Sequence, residues 1–502
     1  MFRHFKSFAI CAAVVAIAST AHLAVVRAAE APRPPNVIFV LADDLGYGDL
    51  GCFGQKKIRT PFLDQMAAEG MRFTHHYAGS PVCAPSRCVL MTGKHPGHAF
   101  IRDNRSVPPE GQYPIPADTV TLARLFQQRG YATGAFGKWG LGGPDSTGQP
   151  LRQGFNRFYG YNDQGVAHNY YPTYLWDDDR RVTLNNPDFS AHQKFPAGAD
   201  PNNPASYARY RGKDYSPDLI NAQARQFVRD HKDQPFFLYV PTTVPHLALQ
   251  APEDSVQEYA GKWSDPPYLG NHDYLPNFTP RSTYAAMITR MDREVGRLMD
   301  LVKQLGLDEQ TIFVFTSDNG PLWDRYGGTD TDFFESDGVL RGRKGSLYEG
   351  GFREPMIVRW KGHVATGTTS DRVTGFEDWL PTLLELVGAA SATPRDIDGI
   401  SFAPTLLGQS QPERPFLYRE FPDSGGQQSL RVGNWKAIRQ NLNPPRGKPL
   451  KPGAVELYDL AADPSEAHDV AAQHPAEVAK LSRLLMEQHE ESAVFPLRAL
   501  DE

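Results

Sequence analysis

The chain has 502 residues, room for one large α/β domain and a small partner. Hydrophobic residues make up 40% and charged residues 22%, an ordinary globular balance. The formal net charge of −6 and the absence of a long charge run leave nothing basic enough to hold nucleic acid.

The N-terminus reads as an export signal over residues 1–28. Arg3, His4 and Lys6 start it, Phe8 to Ala18 is its apolar core, and small residues around Ala21 and Ala28 suit cleavage. His22 and Arg27 interrupt the apolar run, which argues against an uncleaved anchor, and no second stretch approaches membrane-spanning length. A periplasmic or secreted chain with no stable membrane span is the expectation. Without Cys11 it keeps Cys52, Cys83 and Cys88, so at least one thiol has another fate. A disulfide between Cys52 and Cys88 would pair the other two.

Strands and helices then alternate. Asn36 to Ala42 (NVIFVLA) is a short apolar run suited to a buried parallel strand. Thr60 caps a helix with Pro61 at its first position and Gly70 at its end. Thr121 opens a second helix, closed by Gly130, and Tyr131 to Phe136 is the next strand. A long excursion follows from Gly142 to Tyr215, rich in Gly, Pro, Asn, Asp and Tyr. A helix near Pro217–His231 precedes the strand Pro235 to Val240. The long helix of about Thr283–Leu305 precedes the strand Thr311 to Thr316, and Pro355 to Trp360 is another strand. Repeated βα units predict a large, mostly parallel sheet with helices on both faces, over residues 35–407. Residues 408–502 change texture. Ser429–Arg439 and Val455–Leu460 read as short strands and Pro475–Ser492 as a helix, giving a small antiparallel sheet with one packed helix.

Polar clusters fall just after several strands, where open α/β sheets bind ligands. Asp43-Asp44 follows the first strand, and adjacent carboxylates repel unless a cation or a turn separates them. Asp318-Asn319-Gly320 follows Thr311–Thr316. Together they offer hard oxygen ligands, which favours Ca²⁺, with Mg²⁺ second, over zinc. Cys83-Ala84-Pro85-Ser86-Arg87 leads into a helix, which places Cys83 at the positive helix end and Arg87 four residues on, on the same face.

That pentapeptide, followed by Met91-Thr92-Gly93, resembles the formylglycine signature of type I sulfatases, arylsulfatase-like members of the alkaline phosphatase superfamily. Asp43-Asp44, Gly137-Lys138-Trp139, Pro245-His246, Ser317-Asp318-Asn319-Gly320 and Lys344 with Glu349-Gly350-Gly351 resemble further family motifs, in family order. The resemblance implies an alkaline-phosphatase-like fold, sulfate ester hydrolysis, and a Ca²⁺ bound by Asp43, Asp44, Asp318, Asn319 and the modified Cys83. It also implies a formylglycine-generating maturation enzyme as a partner. The chemistry favours such a modification. A thiolate attacking sulfur would form a stable S-sulfonate, whereas a hydrated aldehyde has one hydroxyl to attack and another to expel sulfate. Arg87 would hold the modified residue. Lys138 and Lys344 are the expected sulfate clamps. His246 is the expected proton donor to the leaving alcohol, shared with Lys344.

One departure stands out. Many family members read G-K-W-H-L-G, and this chain reads Gly137-Lys138-Trp139-Gly140-Leu141-Gly142. The absent histidine is the one expected to reset the nucleophile. His168, in Ala167-His168-Asn169-Tyr170-Tyr171, could reach in for that role or contact a sugar. His98 and Arg102, past the nucleophile helix, are further pocket candidates. The reading is a calcium-dependent sulfatase acting on an aryl or carbohydrate sulfate, with a sulfated saccharide as the expected substrate. Its alternatives are a phosphate or phosphonate ester hydrolase of the same superfamily and a non-catalytic sulfatase-fold binding protein.

Overall fold

Strand Asn36–Asp43 (β1) has all eight residues buried because both of its faces are covered. Ile38, Val40 and Ala42 enter one core; Val37, Phe39 and Leu41 enter the other. The computed structural model describes Met1, residues 33–445 and residues 447–501. The export-signal reading falls on residues that, after Met1, lie outside that range. No helix among the described residues is long and apolar enough to cross a membrane.

After β1 the chain forms Met71–Tyr77 (β2), Ala132–Lys138 (β3), Arg157–Tyr161 (β4), Tyr174–Asp177 (β5) and Arg180–Thr183 (β6). Phe236–Pro245 (β7), Thr311–Ser317 (β8), Arg353–Arg359 (β9), Thr368–Ser370 (β10) and Thr374–Gly375 (β11) complete the main sheet. Among the described residues it has 11 strands, in the order β10-β2-β9-β8-β1-β7-β3-β4-β5-β6, with β11 beside β2. The central run β8-β1-β7-β3-β4 is parallel, and β9 lies antiparallel to both β8 and β2. Helices cover both faces. Pro61–Ala68, Ser216–Asp230 and Pro280–Gln304 feed one core; Cys83–Thr92, Leu122–Gln127 and Trp379–Leu386 feed the other. The mostly parallel α/β architecture read from the sequence is therefore the one observed.

Several local expectations change. The excursion between 142 and 215 adds β4, β5 and β6 to one sheet edge, its aromatic residues Tyr159, Tyr161 and Trp176 packing into the two cores. Ser429–Arg439 is two strands, Gln427–Val432 (β13) and Trp435–Gln440 (β14), turned by Gly433 at φ +56° and Asn434. With Leu417–Phe421 (β12) and Glu456–Asp459 (β15) they form the antiparallel order β12-β13-β14-β15. Helix Pro475–Glu487 seats Leu481 and Leu485 on Leu430, Ala437 and Leu457 of that sheet. It ends before Ser492. Thr60 does not cap its helix by side chain; its hydroxyl accepts from Gly51 N–H at 2.8 Å and donates to Asp64 at 3.1 Å. Cys52, Cys83 and Cys88 are all free thiols. Cys52 packs on one core and Cys88 belongs to the other, so the sheet separates the two residues that a disulfide would have joined.

Candidate active site

Neighbouring strand ends deliver the polar groups. Asp43 and Asp44 end β1, Pro245-His246 ends β7, Asp318 and Asn319 follow β8, and Lys138 ends β3. Parallel strands in register put these carboxyl ends side by side. Asp44 holds a left-handed φ of +64°, a strained value for a residue with a side chain.

Cys83 is the first residue of helix Cys83–Thr92 and is buried. Asn104 Oδ1 accepts from Ala84 N–H at 2.9 Å and so ties down the helix start. The Cys83 Sγ lies 3.4 Å from Asp43 Oδ1 and 3.5 Å from both Lys138 Nζ and Lys344 Nζ. Lys138 Nζ donates to Asp43 Oδ2 at 2.7 Å, and Lys344 Nζ to Asp44 Oδ1 at 2.7 Å. Arg87 is fully buried and donates to Asp318 Oδ2 through Nε at 3.0 Å and Nη2 at 2.8 Å. Its Nη1 is bonded to the Lys138 carbonyl, so Arg87 locks two strand ends together.

Electrostatics follow from burial. Burial, then the Asp43 charge, pushes the Cys83 thiol up to about 12, so an unmodified Cys83 stays protonated at neutral pH despite its helix-end position. Burial raises the Asp43 carboxyl, but Lys138, His246 and Arg87 together hold it well below the usual carboxylate range. Burial, then Asp43, raises Asp318 to about 6. His246 Nδ1–H donates to the Leu247 carbonyl at 2.7 Å, which leaves Nε2 facing Asp44 at 3.5 Å.

The donor set suits a hard cation. Asp43, Asp44, Cys83 and His246 bring potential ligand atoms within 4.8 Å of one another. Asp318 Oδ1 accepts from Asp44 N–H at 3.3 Å, and Asn319 Oδ1 is buried with no hydrogen-bond partner while its Nδ2 donates to Asp44 at 2.6 Å. An orphaned amide oxygen beside three carboxylates is the arrangement Ca²⁺ accepts. A second group, His95, His98 and Asp398, is a hydrogen-bonded clamp. Gly97 N–H donates to His95 Nδ1 at 3.2 Å, so His95 Nε2 carries the proton and offers no lone pair. His98 Nδ1 bonds Asp398 at 2.8 Å, and Arg102 bonds Glu420 at 2.8 Å. Both residues are therefore tied to later segments of the chain.

His168 comes in from the excursion and stacks on His246, centroids 4.9 Å apart and 12° from parallel. At residue 140 a Cβ would meet only the movable Gln164 side-chain amide, 2.6 Å from Nε2, but φ is +84°, a conformation that a residue with a side chain rarely adopts. Sequence reasoning missed Asn104 and two residues of the C-terminal sheet. Arg419 donates to the Ala78 carbonyl at 2.7 Å, and Gln427 to the Gly345 carbonyl at 2.9 Å, bracing the segments that carry Cys83 and Lys344. Single polar residues so far along the chain give no local signal.

The sulfatase family model matches residues 35–389, and the C-terminal model of N-sulphoglucosamine sulphohydrolase matches residues 343–493. The chain belongs to the sulfatase family. It is 34% identical to arylsulfatase A of Homo sapiens over 472 residues, covering 89% of this chain and 85% of that one. It is 30% identical to an N-acetylgalactosamine-6-O-sulfatase of Bacteroides thetaiotaomicron, covering 90% and 93%. Among solved structures it resembles Ps i-CgsB in complex with k-i-k-neocarrahexaose, with TM-score 0.72, 27% identity and coverage of 91% and 92%. This sulfatase is thus a sulfuric ester hydrolase of alkaline-phosphatase-like α/β fold, and the phosphoester and non-catalytic alternatives are not favoured.

Proposed function

We propose that this sulfatase is an exported, calcium-dependent hydrolase of sulfated saccharides whose nucleophile is formylglycine made from Cys83 by a maturation enzyme. The observation that carries the reading is the convergence of Asp43, Lys138 and Lys344 within 3.5 Å of the Cys83 sulfur. Asp43, Asp44, Asp318 and Asn319 would hold the cation together with the modified residue 83. A cation held there supplies Lewis-acid stabilisation of sulfate oxygens and of the nucleophile's charge. The formylglycine supplies a hydrated aldehyde, a nucleophile with its own release step.

The chain's own residues do the rest. Lys138 and Lys344 each place Nζ 3.5 Å from the residue 83 sulfur and would aim positive charge at the sulfate oxygens. Arg87, held by Asp318 and the Lys138 carbonyl, fixes the floor of the site. His246 Nε2, its ring oriented by the Leu247 carbonyl, hands a proton to the leaving alcohol oxygen. His168 serves as the group that takes a proton in place of the histidine absent at Gly140. Export rests on the residue 1–28 signal, and the saccharide class on relatives named for N-acetylgalactosamine sulfates.

Mass spectrometry of the Cys83 peptide from the native host tests the nucleophile: a peptide that stays entirely thiol overturns it. A screen of sulfated saccharides against phosphate and phosphonate esters, with one pure sample, tests the substrate class. Dominant phosphonate or phosphate turnover would overturn that part.

A further inference from the structure

Hydrolysis of a sulfate monoester near neutral pH yields an alcohol, a sulfate dianion and one proton. That proton must leave a site whose groups are almost all buried. A directed hydrogen-bond chain starts beside it. Asp273 Oδ1 accepts from His192 Nδ1 at 2.7 Å, and His192 Nε2 lies 3.0 Å from His168 Nδ1. The tautomers follow from the carboxylate. Asp273 only accepts, so His192 carries its proton on Nδ1 and presents a bare Nε2. That bare nitrogen accepts from His168 Nδ1–H, which leaves His168 Nε2 as a lone pair. Among the described residues no hydrogen bond occupies His168 Nε2.

Three further observations agree. Burial, then the charges of His246 and Lys138, holds His168 well below its ordinary value, so it rests neutral. The Tyr274 ring packs on both imidazoles, 5.2 Å from His168 and 4.6 Å from His192, and fixes their planes. The outer end is wet. The His192 and Asp273 side chains are 40% and 43% exposed, and His192 borders a polar groove of about 400 Å³ with Glu110, Asp163, Tyr174 and Arg181.

We propose that Asp273, His192 and His168 form the route by which the proton of each turnover leaves the site, with His168 Nε2 as the acceptor. The proton arrives at His168 Nε2 from a hydroxyl oxygen at the reacting centre; the O–H bond breaks and its electron pair stays on oxygen. His168 passes its Nδ1 proton to His192 Nε2 and His192 releases its Nδ1 proton to Asp273 or groove water, which leaves both imidazoles protonated at Nε2. A reset, in which each ring regains a proton at Nδ1 from water and loses the one at Nε2 to water, restores the starting tautomers before the next turnover. His192 and Asp273 are positioning and relay residues, while His168 stacks on His246 at the inner end of the chain. The proposal rests on the sulfatase reading and adds two residues to it.

Two measurements test it. In the chain carrying an unmodified Cys83 thiol, ¹⁵N-histidine NMR should find His168 protonated at Nδ1 and bare at Nε2, with that preference lost in His192→Ala. In the mature enzyme, Asp273→Ala and His192→Ala should each lower kcat at least about tenfold while KM stays within about twofold. His192→Gln keeps both hydrogen bonds but cannot pass a proton, so it should keep the His168 tautomer and still lose kcat. A native His168 protonated at Nε2, unchanged kcat in the alanine variants, or a raised KM at constant kcat would each overturn the route. The sulfatase reading would stand in those cases, since it fails only if the native enzyme does not turn over sulfate esters.

Discussion

The proposed nucleophile comes from a cysteine, Cys83, that burial keeps from being a thiolate. A thiol pushed up to about 12 is a poor nucleophile in its own right, which is a physical reason to convert it. Cys83→Ala should abolish turnover and leave the fold intact, as read by activity beside a thermal melt. Lys138→Ala should lower kcat by about 10²–10³-fold, the usual loss when one charge aimed at a developing oxyanion is removed. His246→Ala should cost about 10²–10⁴-fold on alkyl sulfates, and much less on aryl sulfates whose alcohols leave without a proton. Equal losses on both substrate types would remove His246 from the leaving-group role.

Single elements carry their own tests. Thr121 caps helix Leu122–Gln127 by accepting from Arg124 N–H at 3.2 Å, and its hydroxyl donates to the Gln153 carbonyl at 2.7 Å. Thr121→Ala should cost about 1–2 kcal/mol in denaturant unfolding, and Thr121→Ser should recover most of it. Asp49, in the turn after β1, accepts from Gly46 N–H, Tyr284 and Ser336, yet burial raises its carboxyl from 3.8 to about 6. The folded state therefore holds more protons than the unfolded one between those values. Its contribution is full below pH 3.8 and falls as pH rises through about 6, by up to about 3 kcal/mol. Asp49→Asn removes that slope, so the variant should gain stability relative to the native chain between pH 4 and 7. Melting curves of the two proteins across that range check this, and a stability difference that stays constant with pH would contradict a raised carboxyl.

On the scale of the whole molecule, residues 34–502 form one compact unit, and the small C-terminal sheet braces the segments that carry Cys83 and Lys344. Arg419 is fully buried and pairs with Glu377 at 2.9 Å while holding the Ala78 carbonyl. Arg419→Ala leaves a buried carboxylate short of a partner and should cost about 3–5 kcal/mol together with activity. Calcium should raise the melting temperature, because a cation that binds only the folded chain stabilises it by about 2.7 kcal/mol at a hundredfold excess over Kd. Chelation should reverse the rise, and Asp318→Asn should abolish it. Zinc raising the melt more than calcium would contradict the hard-oxygen donor set.

Apolar runs such as NVIFVLA and TIFVFT, each bounded by polar clusters, determined the alternating α/β order and placed Asp43-Asp44 and Asp318-Asn319 at strand ends. They do so because a strand buried on both faces needs a continuous apolar segment and its carboxyl end must stop in polar residues. The motif Cys83-Ala84-Pro85-Ser86-Arg87 was legible for the same local reason. Neighbours in space but not in sequence were not legible. The antiparallel insertion of β9, the separation of Cys52 from Cys88 by the sheet, and the bracing by Arg419 all depend on which strands pair. So does the run of Asp273, His192 and His168, three residues spread over more than a hundred positions. Local pattern sets elements and their end groups, while long-range packing alone decides which side chains meet.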